Sequence, residues 1–311
     1  MIVLGDKYKF NEIELKKLRK KFKNIEFLEY DGSRKSSVLI RKKIKELLKK
    51  NYHKYLVLNT NFNIDPKMVK FLTLLQFRYR RKSLRVISIQ KLLERHLCKV
   101  YIPDELKKMD FLSEIRPYNK FEFLIKRVID IVGALILWVI NLAIKPYVRK
   151  KIKEQSPGKI YFIQKRVGVN TKEFECYKFR TMHENSECAK YTKKDDNRVF
   201  PFGKFMRKTR IDELPQYINV LKGDMHLIGP RAEWNILVNE YEKEIPYYNE
   251  RHLVRPGITG WAQVNYPYGE NLYDTKQKLM YDLYYIKHWS LWLEIKVVFK
   301  TIGIVLGRKG I

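Results

Sequence analysis

Over the first hundred residues, short apolar runs alternate with basic stretches whose apolar positions recur every three or four residues. Ile2-Val3-Leu4, residues 25–28, 55–58 and 84–88, and Val100-Tyr101-Ile102 read as short strands. Residues 13–22 read as a helix. So do residues 38–48, where Ile40, Ile44, Leu47 and Leu48 share one face. Asp65-Pro66 reads as an N-cap followed by proline at the first helical position, opening a helix through Gln76. Strand–helix alternation of this kind predicts a small α/β domain with a mostly parallel sheet over residues 1–120. Gly5 and Gly32 stand alone, so the glycine-rich loop of a dinucleotide site is absent from it.

The longest apolar run is VIDIVGALILWVINLAI, residues 128–144. As a helix, about 17 residues at ~1.5 Å per residue reach ~25 Å, short of the ~30 Å hydrocarbon core of a bilayer. Both flanks are basic, with Lys126 and Arg127 before and Lys145, Arg149, Lys150, Lys151 and Lys153 after. Basic flanks prefer the cytoplasmic face, and a helix that enters and leaves by one face satisfies both. Asp130 and Asn141 are costly in lipid unless paired; Asp130 is expected either to pair with Arg127 or to face protein. Pro146 removes a helix hydrogen bond and is a candidate kink. The competing reading is a buried core helix. Toward the end of the chain, Tyr284, Tyr285, Trp289 and Trp292 mix with Lys287, Lys296 and Lys300 on amphipathic helices, a composition suited to the headgroup layer and also to core packing.

Charge sharpens the choice of partner. The 311 residues hold 64 Lys+Arg against 34 Asp+Glu, a net charge of +30. Residues 1–121 carry 31 basic and 13 acidic side chains, so about +18 of the excess lies there and both halves are basic. Such a field attracts nucleic acid, anionic lipid or phosphorylated substrates. No zinc-finger, RNP-type or basic-zipper pattern accompanies it, so nucleic acid is not the expected partner; with the apolar run present, an anionic membrane surface is. Cys98, Cys176 and Cys188 form no CxxC pair and read as free thiols. The histidines show no metal spacing, and the N-terminus lacks a signal-peptide core.

Against this charge, RKTRIDELPQYINVLKGDMHLIGPR (residues 207–231) places an acid pair, Asp212-Glu213, between Arg207 and Arg210 upstream and Lys222 and Arg231 downstream. Cations keep carboxylates ionised; an ionised Asp is competent to attack phosphorus and a neighbouring Glu to hold Mg2+. The pair also fits a helix start, with its acids at the positive end of the dipole.

The blocks IDELPQ, NVLKGDM and IGPR resemble the signature of the bacterial sugar transferases, the monotopic polyprenyl-phosphate phosphoglycosyl transferases. The resemblance extends to Lys126-Arg127 with Asp130, SPGKIYFIQKRVG (156–168), KFRTM (178–182), RPGITGWAQV (255–264) and MYDLYYIKHWSLWLE (280–294); with residues 207–231 counted as one, six ordered blocks cover roughly residues 122–311. It implies a mostly helical α+β transferase domain at 121–311, with a re-entrant membrane helix at about 124–148 anchored through Lys126, Arg127, Asp130 and Pro146. The family's usual Ser-Pro break falls here on Leu142-Ala143. The N-terminal 1–120 domain loosely resembles the Rossmann-like module of longer members, with a regulatory or assembly role or none. The implied reaction moves a sugar-1-phosphate from a nucleotide diphosphate sugar, expected to be a UDP-sugar, to polyprenyl phosphate and releases a nucleoside monophosphate. It starts a lipid-linked glycan at the cytoplasmic face of a bacterial inner membrane. Asp212 is the implied nucleophile, Glu213 the Mg2+ ligand, and Arg207 and Arg231 the phosphate ligands. Gln164, Arg166, Lys178 and Arg180 are further candidates for contact with nucleotide or lipid phosphate. Gln263 lies in the glycine-containing 255–264 block, where Gly257 and Gly260 suit either close backbone approach to a ligand or a turn. The resemblance leaves dimer or monomer open. A non-catalytic membrane-surface scaffold is the alternative, against which the intact acid pair speaks.

Overall fold

The computed structural model describes residues 1–60, 64–79, 84–103, 118–184, 186, 196–267, 269 and 271–307. It is a mixed α/β chain of two compact units, residues 1–101 and 102–311. Most of the interval between that division and the expected boundary at 120 lies outside the described residues, as does Cys188.

In the first unit, β1 (Ile2–Leu4), α1 (Glu12–Lys21), β2 (Glu26–Leu28), α2 (Arg34–Lys50), β3 (Tyr55–Leu58), α3 (Pro66–Arg78), β4 (Arg85–Ser88) and α4 (Ile89–Leu92, running into a π turn, Leu93–Leu97) alternate as the pattern predicts. All four strands pair in parallel, in the order β2-β1-β3-β4. Right-handed crossovers then place α1 on one face and α2 and α3 on the other. Ile2, Leu4 and Leu56 from the strands pack with Ile40, Ile44, Leu48, Met68, Leu72 and Leu75 beneath α2 and α3. Two expectations fail locally. Val100-Tyr101-Ile102 is buried but forms no strand. Asp65 precedes Pro66 at the start of α3, yet its side chain makes no capping bond. Where a dinucleotide fold places phosphate, at the start of α1, this chain places its own carboxylate. Glu14 accepts from the Asn11 N–H at 3.0 Å and the Tyr8 hydroxyl at 2.7 Å, and pairs with buried Lys99.

The second unit opens with α5 (Lys120–Gln155), held at its start by an Asn119–Glu122 capping box. Then follow β5 (Tyr161–Val167), β6 (Glu173–Phe179), α6 (Pro201–Thr209), α7 (Tyr217–Lys222), β7 (His226–Ile228), α8 (Asn235–Glu244), β8 (Gly257–Thr259), α9 (Trp261–Asn265), α10 (Leu272–Lys287) and α11 (Leu291–Leu306). β5 and β6 form an antiparallel ribbon; β7 and β8 pair in parallel.

Helix α5 is inverted relative to an ordinary amphipathic helix. Lys126, Asp130, Ala134, Asn141, Val148 and Ile152 are its buried positions, a stripe at spacings of four and seven. Its large apolar side chains, among them Leu124, Val128, Val132, Leu135, Val139 and Leu142, are exposed. The buried-core reading of this segment is therefore wrong for all but one stripe. Lys126 donates to the Ile228 carbonyl (3.0 Å), the Tyr285 hydroxyl (3.1 Å) and Glu294 (2.8 Å). Arg127 donates to the Val220 and Leu221 carbonyls at the end of α7, at 2.6 and 2.8 Å. Asp130 takes the second of its two expected routes: it faces protein, accepts from the Leu227 N–H at 2.8 Å and bonds His226. These three groups, expected as a membrane anchor, bind α5 to the body of the unit. Near the far end, Val148 and Ile152 pack with Phe179, Phe200 and Met206. The helix continues through Pro146 to Gln155. Among the described residues no helix is long and apolar enough to cross a membrane.

The C-terminal aromatic block divides. In α10, Met280, Tyr281, Leu283, Tyr285 and Ile286 are core, so its aromatics serve packing. In α11, Leu291, Trp292, Ile295, Phe299, Ile302 and Leu306 are exposed. The exposed faces of α5 and α11 are far more apolar than a water-facing surface of this size tolerates.

Candidate active site

The acid pair does not open an α-helix. Helix α6 starts with Pro201 at its first position and ends on Arg210, whose backbone is left-handed (φ 59°). That reversal leads into a 3-10 segment, Ile211–Gln216, which carries Asp212 and Glu213 and continues as α7. The acids thus stand in the first turn of a helical run, and the charges around them set their chemistry.

Both carboxylates are buried, Asp212 at 8% and Glu213 at 6% exposure. They titrate in opposite directions. Glu213 Oε1 accepts from Lys178 Nζ at 2.8 Å and from Arg231 at 3.3 Å, while Oε2 accepts from Arg210 at 3.3 Å. These cations outweigh burial and hold Glu213 well below the usual carboxylate range. Burial, and then the charge of Glu213, push Asp212 up to about 6 against the pull of Lys178, Arg207 and Arg210. The expectation that cations keep the pair ionised thus holds firmly for Glu213 and only above about pH 6 for Asp212. Asp212 Oδ1 is buried and has no hydrogen-bond partner. An unsatisfied buried acceptor costs ~1–3 kcal/mol, so its retention calls for a function.

Asp212 and Glu213 lie in the wall of a cleft of about 930 Å³ that also contains Gln164, Lys178, Arg207, Arg231 and Gln263. Arg207 donates to Thr181 Oγ1 at 2.9 Å. Arg166 and Arg180 line the same cleft, with part of each guanidinium bonded to the protein. Arg180 donates to Lys159 O (2.6 Å), Ser156 Oγ (2.6 Å), Ser156 O (2.6 Å) and Pro157 O (3.2 Å), which clamps the turn before β5. Arg166 donates to Ala232 O at 3.2 Å and pairs with Glu233 at 3.9 Å.

The glycines of the 255–264 block approach backbone. A Cβ on Gly257 would stand 2.1 Å from Gly229 N, and one on Gly260 would stand 2.0 Å from Gly229 O. They bring β8 against the turn that presents Arg231. The Gln263 amide bonds locally: its Nε2 donates to Ile258 O at 3.3 Å, while its Oε1 is buried and unpartnered.

One group escaped the sequence reading. Buried Arg251 donates to the Tyr248 hydroxyl (2.6 Å), Asp282 (3.0 Å) and the Arg231 carbonyl (2.8 Å), so it steadies the backbone of a cleft arginine. Burial pushes Asp282 up to about 6. Asp282 stands inside the MYDLYYI run, where an acid among six apolar or aromatic neighbours was the available signal. Sharing Arg210, Glu213 and Gln263 with the cleft is a second, apolar cavity of about 230 Å³. Leu137 of α5 and Ile304 and Val305 of α11 line it.

The family model "Bacterial sugar transferase" matches residues 121–308. A UDP-N-acetylgalactosamine-undecaprenyl-phosphate N-acetylgalactosaminephosphotransferase of Aeromonas hydrophila is 49% identical over 197 residues, 63% of this chain and 46% of that protein. A UDP-glucose:undecaprenyl-phosphate glucose-1-phosphate transferase of Xanthomonas campestris pv. campestris is 42% identical over 188 residues, 59% of this chain and 38% of that protein. A protein of the same description from Caulobacter vibrioides is 38% identical over 185 residues, 58% of this chain and 69% of that protein. The match thus spans less than half the length of the first two relatives.

Proposed function

The chain belongs to the bacterial sugar transferase family, and on that premise we propose that it transfers a sugar-1-phosphate from a UDP-sugar to a polyprenyl phosphate, with Asp212 as nucleophile. The observation that carries the assignment is the orphaned, buried Oδ1 of Asp212 beside a Glu213 held between three cations. A group pushed up to about 6 is ionised at neutral pH yet more basic than an ordinary aspartate, a suitable state for attack on phosphorus.

In the first half-reaction an Asp212 oxygen forms a bond to the β-phosphorus of the donor, and the bond to the bridging oxygen breaks. That electron pair leaves on the nucleoside monophosphate. In the second, an oxygen of polyprenyl phosphate attacks the same phosphorus and expels the Asp212 carboxylate. Arg207, Arg210, Arg231 and Lys178 stand where a diphosphate needs countercharge, and guanidinium suits bidentate phosphate contact. Glu213 fits a magnesium ion shared with substrate phosphates, which is how one or two carboxylates usually hold it. Among the described residues no cluster of three metal-ligating side chains stands ready. Glu213 would hold the ion, which supplies neutralisation of the diphosphate.

The 230 Å³ apolar cavity reaches Glu213 and Arg210 and suits the first isoprene of the acceptor. Both ends of α5 pack on one and the same unit, through Lys126 and Asp130 at one end and Val148 and Ile152 at the other. This supports a monotopic arrangement in which the apolar faces of α5 and α11 sink into one leaflet, α5 re-entering by the face it left. The first unit, with parallel strands in the order β2-β1-β3-β4, supports a Rossmann-like accessory role that uses no phosphate loop.

The test is nucleoside monophosphate release by detergent-solubilised protein given undecaprenyl phosphate, Mg2+ and a panel of UDP-sugars. Release of UMP with one sugar, dependent on lipid and metal, supports the reading. A folded protein inert with every nucleotide sugar would instead favour a scaffold that keeps the fold.

A further inference from the structure

The two faces of the first unit differ. Helices α2 and α3, which pack side by side on one face of the sheet, carry eleven basic side chains and one acid, Glu46. Helix α1 and residues 89–97, on the other face, carry seven basic side chains and three acids. Ten of the eleven cations on α2 and α3 are exposed; Arg41 is half-buried and bonded to the Ser37 carbonyl.

Apolar exposure divides the same way. Val38 and Leu39 of α2 and Val69, Leu74 and Phe77 of α3 are exposed, Leu39 at 69% and Phe77 at 71%. No large apolar side chain of α1 or of residues 89–97 is exposed. The exposed groups are ordered by helical spacing. Lys35, Leu39 and Lys42 form one stripe on α2, and Lys70, Leu74, Phe77 and Arg78 form one on α3. Beneath them, Ile40, Ile44, Leu48, Met68, Leu72 and Leu75 supply the core, and the outer apolar groups lie outside it.

From this asymmetry we propose that the α2–α3 face of the first unit is a docking surface for an anionic lipid bilayer, separate from the apolar faces of α5 and α11. Lysines at the rim meet lipid phosphates while Leu39, Leu74 and Phe77 enter the interface, the arrangement of surface-lying amphipathic helices. Nucleic acid would use the cations but leave the aliphatic groups in water. A protein partner or second copy with this surface would face strong like-charge repulsion unless acidic.

The experiment uses the full-length chain reconstituted into vesicles, with Cys98, Cys176 and Cys188 changed to serine. A single fluorescent label is attached at Leu39→Cys, Leu74→Cys or, as control, Lys17→Cys on α1. Vesicles of phosphatidylcholine, with or without phosphatidylglycerol, carry a nitroxide-labelled lipid as quencher. The expected result is loss of emission from labels at positions 39 and 74 when phosphatidylglycerol is present. That loss is reversed by high salt and by the triple variant Lys42→Glu, Lys43→Glu, Lys70→Glu, while the label at position 17 stays bright. Equal emission at all three positions, or quenching indifferent to anionic lipid, overturns the proposal. So does energy transfer between copies without lipid quenching, since a second copy would then cover the face. UMP release is measured on the same vesicles, so failure of the docking surface is distinguishable from failure of the transferase reading.

Discussion

At the residue scale, Asp212 and Glu213 are adjacent in sequence and opposite in titration. Lys178, Arg210 and Arg231 all bond Glu213, whereas none of them bonds the buried Oδ1 of Asp212. With Asp212 as nucleophile, the acid limb of the pH–rate profile should fall with an apparent pKa near 6, well above that of a free aspartate. A limb near 4 would contradict that environment. The same shift bears on stability. A folded-state value above the unfolded one means a contribution present below about pH 4 and lost as pH rises through about 6. Asp212→Asn should therefore raise the melting temperature at pH 7.5 by a few degrees, an advantage that disappears in scans near pH 4. Two arginines separate binding from structure. Arg231→Lys should lower kcat/KM by roughly 10–100-fold with little change in melting, because a bidentate charged contact is worth about 1.5–3 kcal/mol. Arg180→Lys should lower stability by about 2 kcal/mol in urea titrations while KM stays near wild type, since its donors bind the 156–159 turn.

At the element scale, the parallel strands and the helices of the first unit were legible because period-2 and period-3.6 patterns survive in short segments. Val100-Tyr101-Ile102 misled because burial alone does not distinguish a strand from a buried extended segment. In α5 the pattern was visible and its meaning was not: a run of apolar residues gives no sign that the polar groups, Lys126 and Asp130, face the protein. Their partners, Glu294 and Leu227, lie about a hundred residues or more away in sequence. Removing one member of the buried Lys126–Glu294 pair should be severe. Lys126→Met is expected to cost about 3–5 kcal/mol in urea unfolding, and the double variant with Glu294→Gln should recover part of it. An equal loss in single and double variants would show that the pair is not the source. Gly257 is equally committed: its neighbour Gly229 leaves no room for a methyl group. Gly257→Ala should shift the Arg231 turn, at about 1–3 kcal/mol in stability.

At the scale of the whole molecule, the chain combines a cleft rich in cations with two apolar helix faces on the same unit. The 230 Å³ apolar cavity meets the cleft at Glu213 and Arg210, which under the proposed reaction would let the lipid acceptor approach from the side of α5 and α11. The blocks that carry the family resemblance named the dyad and two arginines before any geometry was known. They did not separate the cleft arginines that bond Glu213 from Arg166 and Arg180, which line the same cleft but bond backbone carbonyls, because that distinction depends on which carbonyls lie within reach. Nor did they reveal Arg251, whose role arises only when α10 and the 249–253 turn meet behind Arg231. The central claim is the covalent step, and intact-protein mass spectrometry tests it most directly. Protein incubated with Mg2+ and its UDP-sugar, without lipid acceptor, should gain the mass of one sugar phosphate on the peptide bearing Asp212. That mass should be discharged on addition of undecaprenyl phosphate and never appear in Asp212→Asn. UMP release that strictly requires both substrates together, with no adduct formed at Asp212, would contradict the account.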